Sequence, residues 1–480
     1  MEFSSFPKNL AYAVKTLNSF SKSTVKLLPD NRTDTVTSGN IIRVRLPQNS
    51  IIDLRTFTMY YQGICTTANS TTGKGHYPRL SSSIIDTLTI FVNGTQIENI
   101  QNYNLLYNTL YDLDGGGIDQ QAKRCLENVD PSVYYLVTDN ETTTATPQVT
   151  SHQVTDNSDV YRKFIINNWC GFLVTCFTPC IDTNDLNEVI IEIRLVTSDV
   201  CFLSCEPAGG VASTTGTVSS YTLKNIGFTI SKIVFNDPLY YSLKASKLLG
   251  DGLTLGYNTY INTRGGQTAK STSMNIYTNI NTTSLNQVIC VLQDPENWGT
   301  GPGRAKNLLL NTSTGDVSTV ATNRKTFNEV LNGTLPAAAV LGDFFNQSPY
   351  FRRNGVGLTT SQLFINNTPI TPQPLEPELI YNENLIALGN CQQDMTATIH
   401  PGCVSLSHFL KYYFCAITSL ENICPGESFY KSGLDGKASS LNLNWVCSFS
   451  TATDNVIPHI YCNCTRIMQV NEGHAITVIV

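Results

Sequence analysis

The amino-acid sequence predicts an all-β protein of two consecutive β-sandwiches, with short helices and long loops. Three observations lead there. Runs rich in Val, Ile, Thr, Tyr and Phe recur at short spacing through the 480 residues, bounded by Asn, Gly and Pro. No segment has the long amphipathic pattern of a major helix. A strand–turn–strand–helix unit over residues 81–113 returns in weaker form around residues 364–385.

The first of these units organises the chain. Thr87-Leu88-Thr89-Ile90-Phe91-Val92 is β-branched and aromatic, which suits a pleated, half-buried surface. Asn93-Gly94 follows, and both residues tolerate the positive φ of a two-residue hairpin turn. Thr95 to Ile100 reads as the returning strand. Tyr103, Leu106, Leu110 and Leu113 then recur at helical spacing, so a short helix crosses the end of the hairpin. The later echo aligns Phe91-Val92-Asn93-Gly94-Thr95-Gln96-Ile97 with Phe364-Ile365-Asn366-Asn367-Thr368-Pro369-Ile370. It also aligns Tyr103-Asn104 and Leu105 with Tyr381-Asn382 and Leu385. Asn367 stands in for Gly94 because Asn enters the left-handed region more readily than other non-Gly residues. Pro369 lacks an N–H, so the second copy's return is expected to be an edge or irregular strand.

Taken in order, residues 1–38 form a polar, mildly basic arm carrying Lys8, Lys15, Lys22 and Lys26, with a short helical pattern at Leu10, Val14 and Leu17. The arm would tie to a neighbour or an enclosed surface, or stay a loosely packed terminus. The first sandwich is placed at 39–205. Ile42, Val44 and Leu46 alternate with Arg43 and Arg45, the period of a sheet with one wet face. Pro47-Gln48-Asn49-Ser50 turns the chain into a longer strand from Ile51 to Tyr61. Asp114-Gly115-Gly116-Gly117 ends the helix, and 138–158 is an exposed excursion. Phe164 to Phe177 and Val189 to Leu195 read as strands.

Residues 206–220 are Gly, Ser, Thr and Ala without period, and the domain linker is placed there. The second sandwich, 221–480, opens with Tyr221 to Phe235 and continues through Ser271 to Leu292. Residues 296–360 are polar and turn-rich, a long loop insertion. Leu441, Leu443, Trp445 and Cys447 alternate with Asn442 and Asn444. The chain closes with Ile460 to Gln469, a turn at Asn471-Glu472-Gly473, and Ala475 to Val480.

Composition narrows the partners. Charged residues are 14%, against about 25% in typical globular chains. A low-charge, Asn- and Thr-rich surface suits faces that neighbours finally bury. The net charge of −6 argues against a broad nucleic-acid footprint, so no sequence-specific nucleic acid is expected as a partner. No run reaches the ~18 apolar residues of a membrane span, and MEFSSFPKNLAYAV lacks the pattern of a signal peptide. Synthesis in the cytosol is therefore expected. The 15 cysteines form no C-x-x-C pair and read as packed thiols. Sequons such as Asn31-Arg32-Thr33, Asn93-Gly94-Thr95 and Asn332-Gly333-Thr334 are expected to stay unmodified.

Chemical motifs are weak throughout. His459, Cys462 and Cys464 could hint at a metal, but on a straight strand His459 faces away from the two thiols. Cys176/Cys180 and Cys201/Cys205 have no His nearby. Asp112, Asp114 and Asp119 miss calcium-loop spacing and read as a solvated helix-ending turn. Gly250-Asp251-Gly252 with Gly256 misses the dinucleotide fingerprint, and Gly436-Lys437 lacks the upstream glycine of a phosphate loop. Glu376 and Glu378 flank Pro377 in an expected loop and are not marked as a glycosidase pair. No Gly-x-Ser-x-Gly elbow is present. Trp169, Trp298 and Trp445 read as core or interface anchors. No catalytic, cofactor-binding or metal residue is assigned, and no enzyme activity is expected.

The order of these pieces resembles the double jelly-roll major capsid proteins of double-stranded DNA viruses, nearest the virophage and Polinton-like branch. The carriers are the Val-Asn-Gly-x-x-Ile hairpin and its Tyr-Asn-x-Leu helix. They are joined by Trp169-Cys170-Gly171-Phe172-Leu173 running to Asn187-Glu188-Val189-Ile190-Ile191-Glu192-Ile193, by Phe429-Tyr430-Lys431-Ser432-Gly433-Leu434-Asp435-Gly436, and by the Glu472-Gly473 hairpin. The resemblance implies a structural subunit in the virion. Two upright jelly rolls per chain would form pseudo-hexagonal homotrimeric capsomers that tile an icosahedral shell. It also implies neighbouring capsomers, penton and minor capsid proteins, and an internal membrane as partners, with 138–158 and 296–360 building the outer tower or trimer contacts. The departure is Asn366-Asn367-Thr368-Pro369 and the Pro-rich 368–377 stretch, which leaves the second roll's strand order open. The alternatives are a carbohydrate-binding or adhesive two-domain sandwich, a glycoside hydrolase, and a minor or vertex capsid protein.

Overall fold

The computed structural model describes residues 20–30, 35–67, 74–76, 80–113, 162–178, 180–184, 186–197, 203–205, 218–235, 238–250, 252–294, 310–311, 324–325, 349–388, 406–421, 433–436, 440–450, 455–471 and 475–479. The first half contains β1 (Phe20–Leu27), β2 (Thr35–Thr37), β3 (Ile41–Arg45), β4 (Ile51–Thr67), β5 (Lys74–His76), β6 (Ile85–Val92), β7 (Thr95–Gln101), α1 (Tyr103–Leu113), β8 (Arg162–Ile166), α2 (Phe172–Thr175), β9 (Cys180–Asp182), β10 (Val189–Leu195), β11 (Leu203–Cys205) and β12 (Val218–Phe235). One sheet runs β1-β12-β4-β8, with β2 on β12 and β9 on β4. The facing sheet runs β3-β10-β6-β7, and β5 pairs with β11.

The reason for the sandwich is the period-two alternation. Ile42 and Val44 in β3, Leu88, Ile90 and Val92 in β6, and Ile191 and Ile193 in β10 point inward and are buried. Phe57, Met59, Phe228 and Ile230 meet them from the other sheet, with Phe57 stacked on Phe228 at 5.5 Å. Trp169 is the anchor expected of it, its indole N–H donating to the Phe57 carbonyl at 2.9 Å.

The second half contains α3 (Pro238–Leu249), β13 (Leu253–Arg264), β14 (Thr268–Ala269), β15 (Met274–Ile280), β16 (Leu285–Gln293), β17 (Leu310–Asn311), β18 (Arg324–Lys325), β19 (Leu358–Ile365), β20 (Thr368–Pro369), α4 (Pro377–Ala387), α5 (Leu406–Tyr412), β21 (Cys415–Ser419), β22 (Leu441–Phe449), β23 (Asn455–Val470) and β24 (Ile476–Ile479). Its sheets run β13-β23-β16-β21 and β15-β22-β19-β20, and β17 pairs with β18. Element for element this is the order of the first half: β13 stands where β1 stands, β23 where β12, β19-β20 where β6-β7, and α4 where α1. The chain is a jelly roll built twice, and the strand order left open by Pro369 is the same in both. Pro369 sits in a two-residue edge strand, where its missing N–H costs no ladder bond.

Four expectations are corrected. Val218–Phe235 does not open the second roll. It pairs with β1, β2 and β4, so the change of sandwich falls between Phe235 and Leu253, across α3. A stretch without period between two strands of one sheet reads like a linker, which is why 206–220 misleads. Part of the expected arm, Phe20–Leu27, is a strand of the first roll's sheet. The strand expected over 164–177 stops at Ile166. Gly171 has φ +80°, a left-handed turn that starts α2. Glu376 and Pro377 are not in a loop: Glu376 caps α4 and Pro377 takes its first turn, where Pro's fixed φ fits and no N–H is missed. The segments 1–19 and 138–158, and nearly all of 296–348, lie outside the described residues.

Candidate functional site: the junction of the two rolls

The hairpin–helix unit of the first roll is buried against the second roll, and backbone chemistry explains the contact. β7 is the edge of its sheet, so its outer carbonyls lack ladder partners. Second-roll side chains supply them. The Ile97 carbonyl accepts from the Tyr257 hydroxyl at 2.8 Å and from Arg466 Nη1 at 3.2 Å. The Gln101 carbonyl accepts from Asn262 Nδ2 at 3.3 Å, and the Asn102 carbonyl from the Tyr461 hydroxyl at 3.2 Å. β13 is likewise an edge, and the first roll satisfies it in return. Phe177 N–H donates to the Gly256 carbonyl at 2.9 Å, and the Thr175 hydroxyl bridges the Asn258 backbone.

Charge follows the same line. Residues 81–113 contain Asp86, Glu98 and Asp112 and no Lys, Arg or His. Two of the three acids face an arginine of the second roll. Asp112 Oδ2 accepts from Arg353 Nη2 at 2.6 Å with both side chains sealed from solvent, 1% and 0% exposed. Arg353 also donates to the Thr109 hydroxyl at 3.0 Å and lies over the Tyr413 ring. Asp86 pairs instead with Arg194 of its own roll at 4.0 Å, in a polar cleft that Arg264 also lines.

Glu98 is fully buried, and both carboxylate oxygens lie 3.0 Å from the Phe172 N–H. Burial pushes this carboxyl up to about 8, against the smaller opposing pull of the Phe172 N–H, the Thr259 hydroxyl and the Arg466 guanidinium. A Cβ on Gly171 would overlap the Glu98 carboxylate, so the glycine there is steric as well as conformational.

Among the described residues, the corresponding unit of the second roll has no such cover. Residues 355–388 also hold three acids, Glu376, Glu378 and Glu383, and no Lys, Arg or His. α4 buries Ile380 and Asn384 against its own roll, with Asn384 bonding the Cys415 carbonyl at 2.9 Å and the Ile417 N–H at 2.7 Å. Its other side leaves Glu376 and Glu378 in solvent and Leu379 and Ile386 about half exposed. In α1 every residue except Leu110 is buried.

The other residues singled out from sequence are structural. His459 is buried between Gln293, whose Oε1 lies 2.9 Å from its Nε2, and the stacked Tyr461 ring. Burial pushes it down to about 3. Cys462 and Cys464 are buried thiols, and burial pushes Cys464 up to about 11. Cys176 is buried and Cys180 exposed, while Cys201 lies outside the described residues. Among the described residues no three His, Cys, Asp or Glu side chains are grouped to hold a metal ion, and no helix is long and apolar enough to cross a membrane. Asp112 is not in a solvated turn: it sits in the last turn of α1 inside the Arg353 pair, while Asp114 and Asp119 lie outside the described residues. Trp445 is a core anchor bonded to Ser361 Oγ at 2.7 Å, and Trp298 lies outside the described residues. Arg264, Arg353 and Arg466 were not legible as site residues. The one sequence signal for them is a run with three acids and no base in a chain this poor in charge.

No protein-family model and no curated protein matches the chain. Solved structures do. The PBCV-1 virus capsid chain superposes with a TM-score of 0.59 at 12% identity, covering 96% of this chain and 97% of that one. The Faustovirus major capsid protein gives 0.56 at 10%, covering 98% and 92%. A chain of the Sputnik virophage structure gives 0.52 at 11%, covering 96% and 89%. The shared property is the fold: the described residues of this chain form a double jelly roll.

Proposed function

We propose that this protein is the major capsid subunit of an icosahedral double-stranded DNA virus, and that three copies close into a pseudo-hexagonal capsomer. The observation that carries the reading is the unequal cover of two equivalent units. One hairpin–helix unit per chain is sealed by the neighbouring roll, and the equivalent unit of the second roll is open. The outer side of the first roll's six-stranded sheet is open along β1, while Lys244 of α3 covers Asp182 at its β9 end. Edge strand β1 there presents Lys22, Thr24 and Lys26 to solvent.

A head-to-tail contact between those two open faces repeats the internal junction between copies. Heterologous contacts of this kind form a ring when the rotation closes. With rolls of one architecture and two per chain, a six-cornered ring needs three chains. Capsomers of that shape tile a shell through neighbouring capsomers. Penton and minor capsid proteins would complete the positions a six-cornered block does not fit, and an internal membrane would lie beneath the shell. The segments 138–158 and 296–348 would supply the outer tower and trimer contacts; residues 349–360, expected in the same loop, instead form the buried turn around Arg353 and the start of β19. The protein's place is then the virion.

Light scattering and negative-stain imaging of the native protein test this. The expected result is a stable trimer with a hexagonal outline. A monodisperse monomer over a wide concentration range would overturn it.

A further inference from the structure

We infer that the contact between copies is keyed by charge: the acidic α4 unit of one copy docks on the lysine-bearing outer face of the first roll's six-stranded sheet in the next copy. The inference rests on the trimer reading and names the residues that select the partner.

The internal junction is the template. There an all-acidic hairpin–helix unit sets Asp112 against Arg353 and Glu98 near Arg466 of the second roll, while Asp86 pairs with Arg194 of its own roll. The second unit repeats the acidic half of that code with Glu376, Glu378 and Glu383 and again carries no base. A matching basic half must come from the first roll's sheet, since that sheet stands where the arginine-bearing sheet of the second roll stands.

That sheet has the required sign. β1 pairs with β12 so that Lys22 lies opposite Ile233 and Lys26 opposite Thr229, and Thr229 lies opposite Thr58 of β4. These residues share the outer face with Tyr60, over whose ring the Lys26 ammonium sits at 5.5 Å, and with Lys224, opposite Gln62. Among the described residues the carboxylates beside this face are paired, Asp53 with Arg55 at 3.1 Å and Asp182 with Lys244 at 2.6 Å, and the exposed Lys22 and Lys26 give its β1 edge a positive sign.

The apolar parts match as well. Leu379 and Ile386 of α4 are half exposed, and Tyr60 and Ile233 lie part-exposed beside the lysines. An acidic, leucine-bearing helix on a lysine and tyrosine sheet face gives a contact whose charges steer the encounter and reject the reversed pairing. β1 is also an open sheet edge, a place where unpaired backbone groups invite another chain. The occupant here is a second copy.

The test is a charge swap read by light scattering and sedimentation on the full chain. Lys22→Glu with Lys26→Glu is expected to weaken trimer formation by roughly tenfold or more, and Glu376→Lys with Glu378→Lys, the two acids of α4 that face solvent, by a similar factor. The variant carrying all four changes is expected to recover trimers to within a few-fold of the unmodified protein. That recovery also shows that neither reversed pair acts by misfolding, and the unfolding midpoint of each variant checks this directly. If either reversed pair assembles as well as the unmodified protein, or if the four-fold variant fails to recover, this contact is wrong while the trimer stands. If the unmodified protein is itself a monomer, the trimer reading fails with it.

Discussion

The two hairpin–helix units hold the same place in the same sheet order, yet they live in opposite surroundings. In the first, α1 is buried on nearly every side, and Asp112 and Glu98 face arginines of the other roll. In the second, α4 buries one side only and leaves Glu376, Glu378 and two large apolar residues in water. Equivalent position therefore does not mean equivalent energy. What the repeat seals inside the chain in its first copy, it leaves exposed in its second.

The largest difference is expected at the ion pairs. Asp112→Ala leaves the Arg353 guanidinium buried without its carboxylate, and removing one partner of a buried pair costs about 3–5 kcal/mol. Glu378→Ala in α4 removes a solvated carboxylate and is expected to stay within about 0.5 kcal/mol. Urea midpoints of the two variants measure the contrast. Near-equal midpoints would mean that the junction is hydrated and that the two units are energetically alike.

The next effect is pH, and it belongs to the first unit alone, since the residue aligned with Glu98 in the second is Thr371. The folded protein holds the Glu98 carboxyl near 8, above its ordinary value of 4.5, so folding favours the protonated form. The stability this contributes is complete below about 4.5 and is lost steadily as pH rises to about 8. At about 1.4 kcal/mol per pH unit the total is on the order of a few kcal/mol. Glu98→Gln fixes the neutral state and is expected to flatten that slope in unfolding midpoints taken across this range. An unchanged slope would place the charge-stabilising partners, Phe172 N–H and Arg466, ahead of burial.

These contrasts also show what the sequence carried and what it hid. The first hairpin and its helix stood out because Asn93-Gly94 and the Tyr103–Leu113 stripe are local signals, fixed by φ and by the helical period. The double sandwich followed from alternation, which is also local. The roll boundary did not. β12 belongs to the first roll because of its pairing with β1 and β4, strands far away in sequence, and the period of Tyr221–Phe235 is the same whichever sheet receives it. The junction was hidden for the same reason. Asp112 and Arg353 are 241 residues apart, and a buried carboxylate reads like a solvated one until its partner is seen. α4 was masked by Pro377, a helix breaker inside a helix but a helix former in its first turn.

The smallest effect separates the two turns themselves. Both are two-residue hairpins with positive φ at both central positions: Asn93 at 48° and Gly94 at 76°, Asn366 at 51° and Asn367 at 64°. Glycine holds that conformation without a Cβ penalty, and Asn holds it at a modest one. Asn367→Gly should therefore relieve the folded state of the second hairpin, while the added glycine also loosens the unfolded chain and offsets part of the gain. The net expectation is a stabilisation of roughly 0.5 kcal/mol, with Gly94→Asn giving a loss of the same order. The turn at Gly94 is open, with nothing within 4 Å of a built Cβ, so that loss would report backbone conformation and not collision. Opposite signs of similar size in paired melts would show that the two turns differ only in that one residue. A larger loss at Gly94 would show that the sealed unit also transmits its turn geometry into the junction, through β7 to Glu98.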